Sequence, residues 1–175
     1  VRGSSREKEA VLIAHGINSE GRRVVLHLSL GVRESIRSWK AALEDLAGRG
    51  LKPPRLLITD GNQGLLRALE EVWPEVPRQR CVIHRTRNVL ARVPKRSQDE
   101  VRRALSRILH AACLEDAREE VRHFLSLYGR EFPTATETLL RDLEECLTFY
   151  RFPERHWKHI RTSNVIERSF KEVKR

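Results

Sequence analysis

Methionine is absent from the 175 residues, position 1 included, so the chain is expected to begin inside a longer reading frame. Cysteine occurs only three times. That odd count argues against a disulfide framework and fits a reducing compartment. No apolar run approaches the ~18 residues that a membrane-spanning helix needs, so an integral helical membrane protein is excluded. The opening residues carry no charged segment followed by an apolar one, so no secretory signal is expected. A glycine-rich phosphate loop and a Gly-x-Ser-x-Gly elbow are both missing, which removes two common signatures of nucleotide and acyl chemistry.

What is present is charge. Charged residues make up 33% of the chain and hydrophobic residues 39%, enough for a core in a chain of one domain's length. Lys and Arg number 34 against 24 Asp and Glu, a formal charge of +10. Such an excess on a folded chain points to a polyanion, nucleic acid or an anionic membrane surface. The excess is segregated. Residues 78–103 hold nine Lys/Arg against Asp99 and Glu100, and residues 151–175 hold eight against three Glu. Residues 115–145 reverse this, with nine acidic and four basic residues. Solvated helix faces would also give such blocks.

The apolar pattern predicts an antiparallel hairpin from residues 10–17 and 23–30, joined by the turn chemistry of Asn18-Ser19-Glu20-Gly21. Ile36, Trp39, Leu43 and Leu46 predict a helix over 34–48, closed by Gly48 and Gly50. Leu56-Leu57-Ile58-Thr59 reads as a buried strand ending in Asp60-Gly61, followed by a helix carrying Leu65, Leu66 and Leu69. Arg80-Cys81-Val82-Ile83 reads as a further short strand. Helical patterns then run through 84–92, 97–112, 115–129 and 133–149, and a last helix through about 164–175. An α/β part is thus followed by an all-α stretch.

Three features could carry chemistry. Asp60 ends a strand, where ligands and catalytic groups of open α/β sheets collect, and a carboxylate suits a hard cation such as Mg²⁺. Asp-Gly is also ordinary turn chemistry. Glu167 lies three residues after Asn164, a spacing that a helix-capping box explains equally well. Cys81 and His84 form a Cys-x2-His pair, half of a zinc site or simply a packed cysteine and a hydrogen-bonded histidine. Trp157, among basic residues, could stack on a base or anchor its loop to the helical stretch.

Together the segments Ile58-Thr59-Asp60-Gly61-Asn62-Gln63-Gly64-Leu65, Gln79-Arg80-Cys81-Val82-Ile83-His84-Arg85-Thr86-Arg87-Asn88-Val89-Leu90 and Arg161-Thr162-Ser163-Asn164-Val165-Ile166-Glu167-Arg168 resemble the Mutator-type transposases of bacterial insertion sequences. The hairpin segment Ala14–Arg23 is similar to the same family's strand pair. The resemblance covers nearly the whole chain. It implies a DDE transposase with an RNase H-like α/β core over residues 1–84, an all-α insertion over 85–160, and a last core helix over 161–175. By that resemblance Asp60 is the second catalytic Asp and Glu167 the catalytic Glu, 107 residues later, both ligands of two Mg²⁺ or Mn²⁺ ions. The family's first Asp is expected on a strand just upstream of Val1, which makes this chain a fragment, inactive and weakly stable by itself.

Cys81 and His84 match the family's Cys-x2-His signature, with Asn164 as a further motif residue. Arg80, Arg85, Arg87, Arg161, Arg168 and Lys171 are the expected contacts to DNA phosphates, which position DNA without reading its sequence. The implied partner is double-stranded DNA, bound by a homo-oligomer without any membrane, in the bacterial cytoplasm at the nucleoid. The chemistry agrees with the residues, since phosphodiester cleavage and rejoining need carboxylates to hold two metals and cations to hold the backbone. A non-catalytic basic nucleic-acid-binding module needs only the basic blocks. A metal-independent scaffold needs neither.

Overall fold

The structure, a computed structural model, describes residues 9–32 and 35–163. It is a mixed α/β chain whose contacts divide it into two units, one formed by the described residues of 9–55 and 61–76, the other by Leu56–Asp60 and Pro77–Ser163.

In the first unit, β1 (Glu9–Ile17) and β2 (Arg23–Val32) form the predicted hairpin. Its loop is closed by Asn18, whose Oδ1 accepts hydrogen bonds from the N–H groups of Glu20 (3.0 Å) and Arg22 (2.9 Å). Gly21 takes φ +76, a conformation that glycine adopts without a Cβ clash. Pairing shifts between Ala14 and His15, leaving Leu26 as the extra residue of a β-bulge. The bulge lays Leu26 over Gly16, where a Cβ would lie 2.7 Å from Leu26 Cδ1. One hairpin face buries Leu12, while Val11, Leu28 and Leu30 on the other are exposed.

Helix α1 (Ile36–Gly48) is capped by Ser35, whose Oγ accepts from the Ser38 N–H, and α2 (Gln63–Val72) by Asn62, whose Oδ1 accepts from Leu65 N–H at 3.0 Å. The apolar stripes read from the sequence, Ala42, Leu43 and Leu46 on α1 and Ala68 and Leu69 on α2, are buried as the two helices pack together. Lys40 Nζ and Glu71 Oε2 join them at 2.5 Å.

In the second unit, β3 (Leu57–Thr59) pairs in parallel with β4 (Arg78–Arg80), Thr59 opposite Arg80. Six helices follow: α3 (Val82–Leu90), α4 (Gln98–Leu109), α5 (Leu114–Tyr128), α6 (Pro133–Arg141), α7 (Leu143–Cys146) and α8 (Glu154–Ile160). Their core gathers Val89, Val101, Ile108, Phe124, Leu139 and Leu147, all nearly or fully buried. Gln79 is fully buried and clamps β4 to the far end of this unit. Its Nε2 donates to the carbonyls of Arg80 (2.7 Å) and Cys146 (2.9 Å), and its Oε1 accepts from Phe149 N–H at 2.7 Å.

Three expectations need correction. The strand expected at 80–83 lies at Arg78–Arg80, because α3 already starts at Val82 and takes the β-branched pair Val82-Ile83 into its first turn. The single helix expected over 133–149 is broken at Asp142, whose carboxylate turns inward to two arginines. The loop expected around Trp157 is α8, and its indole is anchored. Nε1 donates to Phe152 O at 2.7 Å, and the ring stands edge-on to Phe149 and Tyr150. The helix expected over 164–175 lies outside the described residues.

Candidate active site

Asp60 follows directly from β3. Thr59 is buried beneath the helical unit's surface and Asp60 is exposed, so the carboxylate emerges where the strand stops. The turn after it depends on other residues. Gly61 supplies the left-handed conformation (φ +86), and Asn62 supplies the cap of α2. Gly61 and Asn62 thus supply the turn's left-handed residue and the helix cap, and Asp60 stands at its exposed start. As a donor, an exposed carboxylate at the end of a parallel strand fits a hard cation of the Mg²⁺ or Mn²⁺ type. Among the described residues, no three His, Cys, Asp or Glu side chains gather in a way that would hold a metal. Glu167 and Asn164, like Arg168 and Lys171, lie outside the described residues.

Cys81 is the residue before α3, with φ −58 and ψ 112, and is completely buried. Its N–H donates to Thr59 O at 2.8 Å, and its Sγ accepts from Ser163 N–H at 3.3 Å. Val82 N–H donates to Arg161 O at 3.0 Å. The chain leading toward residue 167 is thus fastened beside the chain leading toward residue 60. His84 is half-buried in the first turn of α3.

The expected phosphate contacts divide sharply. Arg80 and Arg85 are each 5% exposed, and both are engaged within their own unit. Arg80 Nε meets Asp142 Oδ2 at 3.3 Å; Arg85 pairs with the same carboxylate and donates from Nη1 to Thr138 O at 2.7 Å. Burial lowers the pKa of the Arg85 guanidinium. The reason is phase: Val82, Arg85, Val89 and Leu90 form the inward stripe of α3, so helical spacing, applied to charges as well as to apolar residues, would have marked Arg85 as interior. Arg161 is partly buried and already engaged, its Nη1 on Leu109 O at 3.0 Å and its Nη2 on His110 Nε2 at 3.0 Å. Arg87 is exposed.

A second set of cations was overlooked as individuals within the basic block. Arg92, Lys95, Arg96 and Arg103 are exposed, and none of them forms an ion pair among the described residues. Nearby Asp99 is taken by Arg102, and Glu100 accepts from Tyr128 Oη at 2.9 Å. Charge on this stretch of surface is therefore net positive and open to solvent.

Comparison with known proteins decides the family. The family model described as "Transposase, Mutator family" matches residues 1–175. The chain belongs to the Mutator family of transposases. The transposase for insertion sequence element IST2 of Acidithiobacillus ferrooxidans is 41% identical over 165 residues, covering 94% of this chain and 56% of that protein. The transposase for IS6120 of Mycolicibacterium smegmatis is 36% identical over 169 residues, covering 97% of this chain and 52% of the relative. The transposase for ISRM5 of Rhizobium meliloti is 36% identical over 167 residues, covering 95% and 42%. The chain spans about half the length of the curated relatives it matches. Among the described residues no helix is long and apolar enough to cross a membrane.

Proposed function

We propose that this Mutator-family chain carries part of the catalytic core of an insertion-sequence transposase, performing metal-dependent DNA cleavage and strand transfer. The observation that supports it is Asp60, an exposed carboxylate at the carboxyl end of a parallel strand, in a chain that matches the transposase family throughout. In this reading Asp60 and Glu167 are the carboxylates that hold Mg²⁺ or Mn²⁺, and their separation in space is within about 10 Å, the span of one two-metal site. When bound, such metals supply positive charge to the attacking and leaving oxygens of the phosphodiester. The chain's own residues hold and orient: β3 aims Asp60, and the exposed Arg87, Arg92, Lys95, Arg96 and Arg103 grip phosphates without reading bases.

The fold proposed is RNase H-like, with core segments at 1–84 and 161–175 around a helical insertion at 85–160. The four described strands form two separate two-stranded sheets, β1–β2 and β3–β4. Double-stranded DNA, both as element ends and as target, is the proposed partner, engaged by a homo-oligomer in the bacterial cytoplasm at the nucleoid.

The test is Mn²⁺-dependent cleavage of DNA bearing the element's ends, with Asp60→Asn and Glu167→Gln compared with the parent in the longest product of the reading frame. Loss of cleavage with unchanged DNA affinity and melting temperature is expected. Cleavage that survives both changes would overturn the assignment. DNA binding by a parent that never cleaves would favour a basic binding module.

A further inference from the structure

We propose that Cys81 is a positioning residue that locks the strand carrying Asp60 to the segment leading to Glu167. This rests on the reading of those two carboxylates given above. The bonds are on opposite sides of one residue. The Cys81 N–H holds the carbonyl of Thr59, the neighbour of Asp60, at 2.8 Å. The Cys81 thiol holds the N–H of Ser163, four residues before Glu167, at 3.3 Å. Val82 N–H adds a bond to Arg161 O at 3.0 Å, so residues 161 and 163 are both tied to the same two-residue stretch.

The arrangement explains why a side chain is needed there. In a parallel strand pairing, the partner residue that donates to the carbonyl of 161 would also accept from the N–H of 163 through its own carbonyl. That residue is Val82, but it opens α3, where carbonyls accept bonds from within the helix. The thiol of Cys81 supplies the acceptor that the backbone has committed elsewhere.

It also explains why the side chain is sulfur. Cys81 stands at the N-cap of α3, where Ser, Thr, Asp or Asn would turn their oxygen back onto the helix's own free N–H groups. Cys81 makes no such cap bond. A thiol, a weak and bulky acceptor, is left available to Ser163. Full burial of Cys81 keeps water from competing for that N–H.

The experiment is amide NMR on selectively labelled protein, the longest product of the reading frame, comparing the parent with Cys81→Ala, Cys81→Ser and Val82→Pro. Exchange of the Ser163 N–H is measured, Mn²⁺-induced broadening of the Asp60 and Glu167 amides is titrated, and thermal unfolding is followed alongside. Proline at the first helical position is compatible with the helix, so Val82→Pro removes a tether bond without breaking α3.

In the parent, Asp60 and Glu167 should broaden together. In Cys81→Ala and Cys81→Ser, Ser163 exchange should quicken about fivefold, the worth of one modest hydrogen bond. Glu167 should then need several-fold more Mn²⁺ than Asp60. Val82→Pro should do the same. Unchanged Ser163 exchange and joint broadening in a folded Cys81→Ala or Val82→Pro chain would overturn the proposal while leaving the carboxylate reading intact. A parent in which Asp60 and Glu167 never broaden together would overturn that reading, and the positioning role with it.

Discussion

Arg85 and Asp142, far apart in sequence, form an ion pair inside the helical unit, with Arg80 sharing the same carboxylate. The guanidinium of Arg85 is almost wholly removed from solvent. Removing one partner of a buried pair leaves the other charged and unsatisfied, which costs about 3–5 kcal/mol. Asp142→Ala should therefore destabilise the second unit by about 3 kcal/mol at the low end of that range. Asp142→Asn, which can still accept a hydrogen bond, should cost less. Urea unfolding checks both, and an Asp142→Ala chain as stable as the parent would show the pair to be dispensable.

Exposed cations should behave in the opposite way. Replacing Arg92, Lys95, Arg96 and Arg103 together by Ala should leave stability within about 0.5 kcal/mol. It should lower the slope of log affinity for duplex DNA against log salt, by about 0.9 for each phosphate that is no longer neutralised. The weakening should be equal on unrelated DNA sequences, as binding through phosphates predicts. A titration at four salt concentrations on two unrelated duplexes reads both quantities. Arg85→Ala should change stability and leave the slope of the folded fraction unaltered.

Alkaline pH should unfold the helical unit through Cys146 and Tyr150. Burial pushes the Cys146 thiol from 9.0 up to about 11, and the Tyr150 hydroxyl from 10.0 up to about 12. In both cases the folded chain holds its proton more tightly than the unfolded chain. Their contribution is thus fully present below pH 9 and is lost as pH rises from 9 through 11 for Cys146, and from 10 through 12 for Tyr150. The Cys146 share is of the order of 2 kcal/mol. Thermal melts between pH 8 and 11 should show a falling midpoint in the parent and a flatter profile in Cys146→Ala, whose remaining fall starts nearer pH 10.

The outward face of the hairpin should govern solubility. Leu28 and Leu30 are 65% and 73% exposed on β2. Exchanging both for Thr keeps β-propensity and removes apolar surface from solvent contact. Light scattering at rising concentration should show less self-association, with the unfolding midpoint in urea nearly unchanged. A drop in that midpoint would mean that these leucines are part of a packed core.

Local periodicity carried much of the fold. The hairpin, α1, α2 and β3 stand where apolar runs, turn residues and helical spacing put them, and α1 and α2 bury the apolar stripes that their own sequences display. Asp142 could not be read in that way. Its partners lie on β4 and α3, and no local pattern says that a helix must break to bring a carboxylate to them. Val82 and Ile83 have strand-like side chains, but the N–H and C=O groups around them are spent on a helix start. For the candidate site, Asp60 was legible from its place after an apolar run. Counting charges could not show that Arg80 and Arg85 are buried, since a tally of cations ignores the direction in which each one points. The tie from Cys81 to Ser163 spans 82 residues and runs through a thiol and a backbone N–H, neither of which leaves a mark in sequence spacing.

The clamp made by Gln79 bears on when this chain can fold during synthesis. Hairpin contacts close over a few residues and form within about 1–10 μs. The amide of Gln79 finds its partners at Cys146 and Phe149, 67 and 70 residues downstream. A growing chain adds about 5–20 residues per second, so several seconds pass between the emergence of Gln79 and that of Phe149. Through that interval β4 has nothing to hold its buried amide. The second unit is therefore expected to close late, gaining protease resistance on the ribosome only after its last third has appeared.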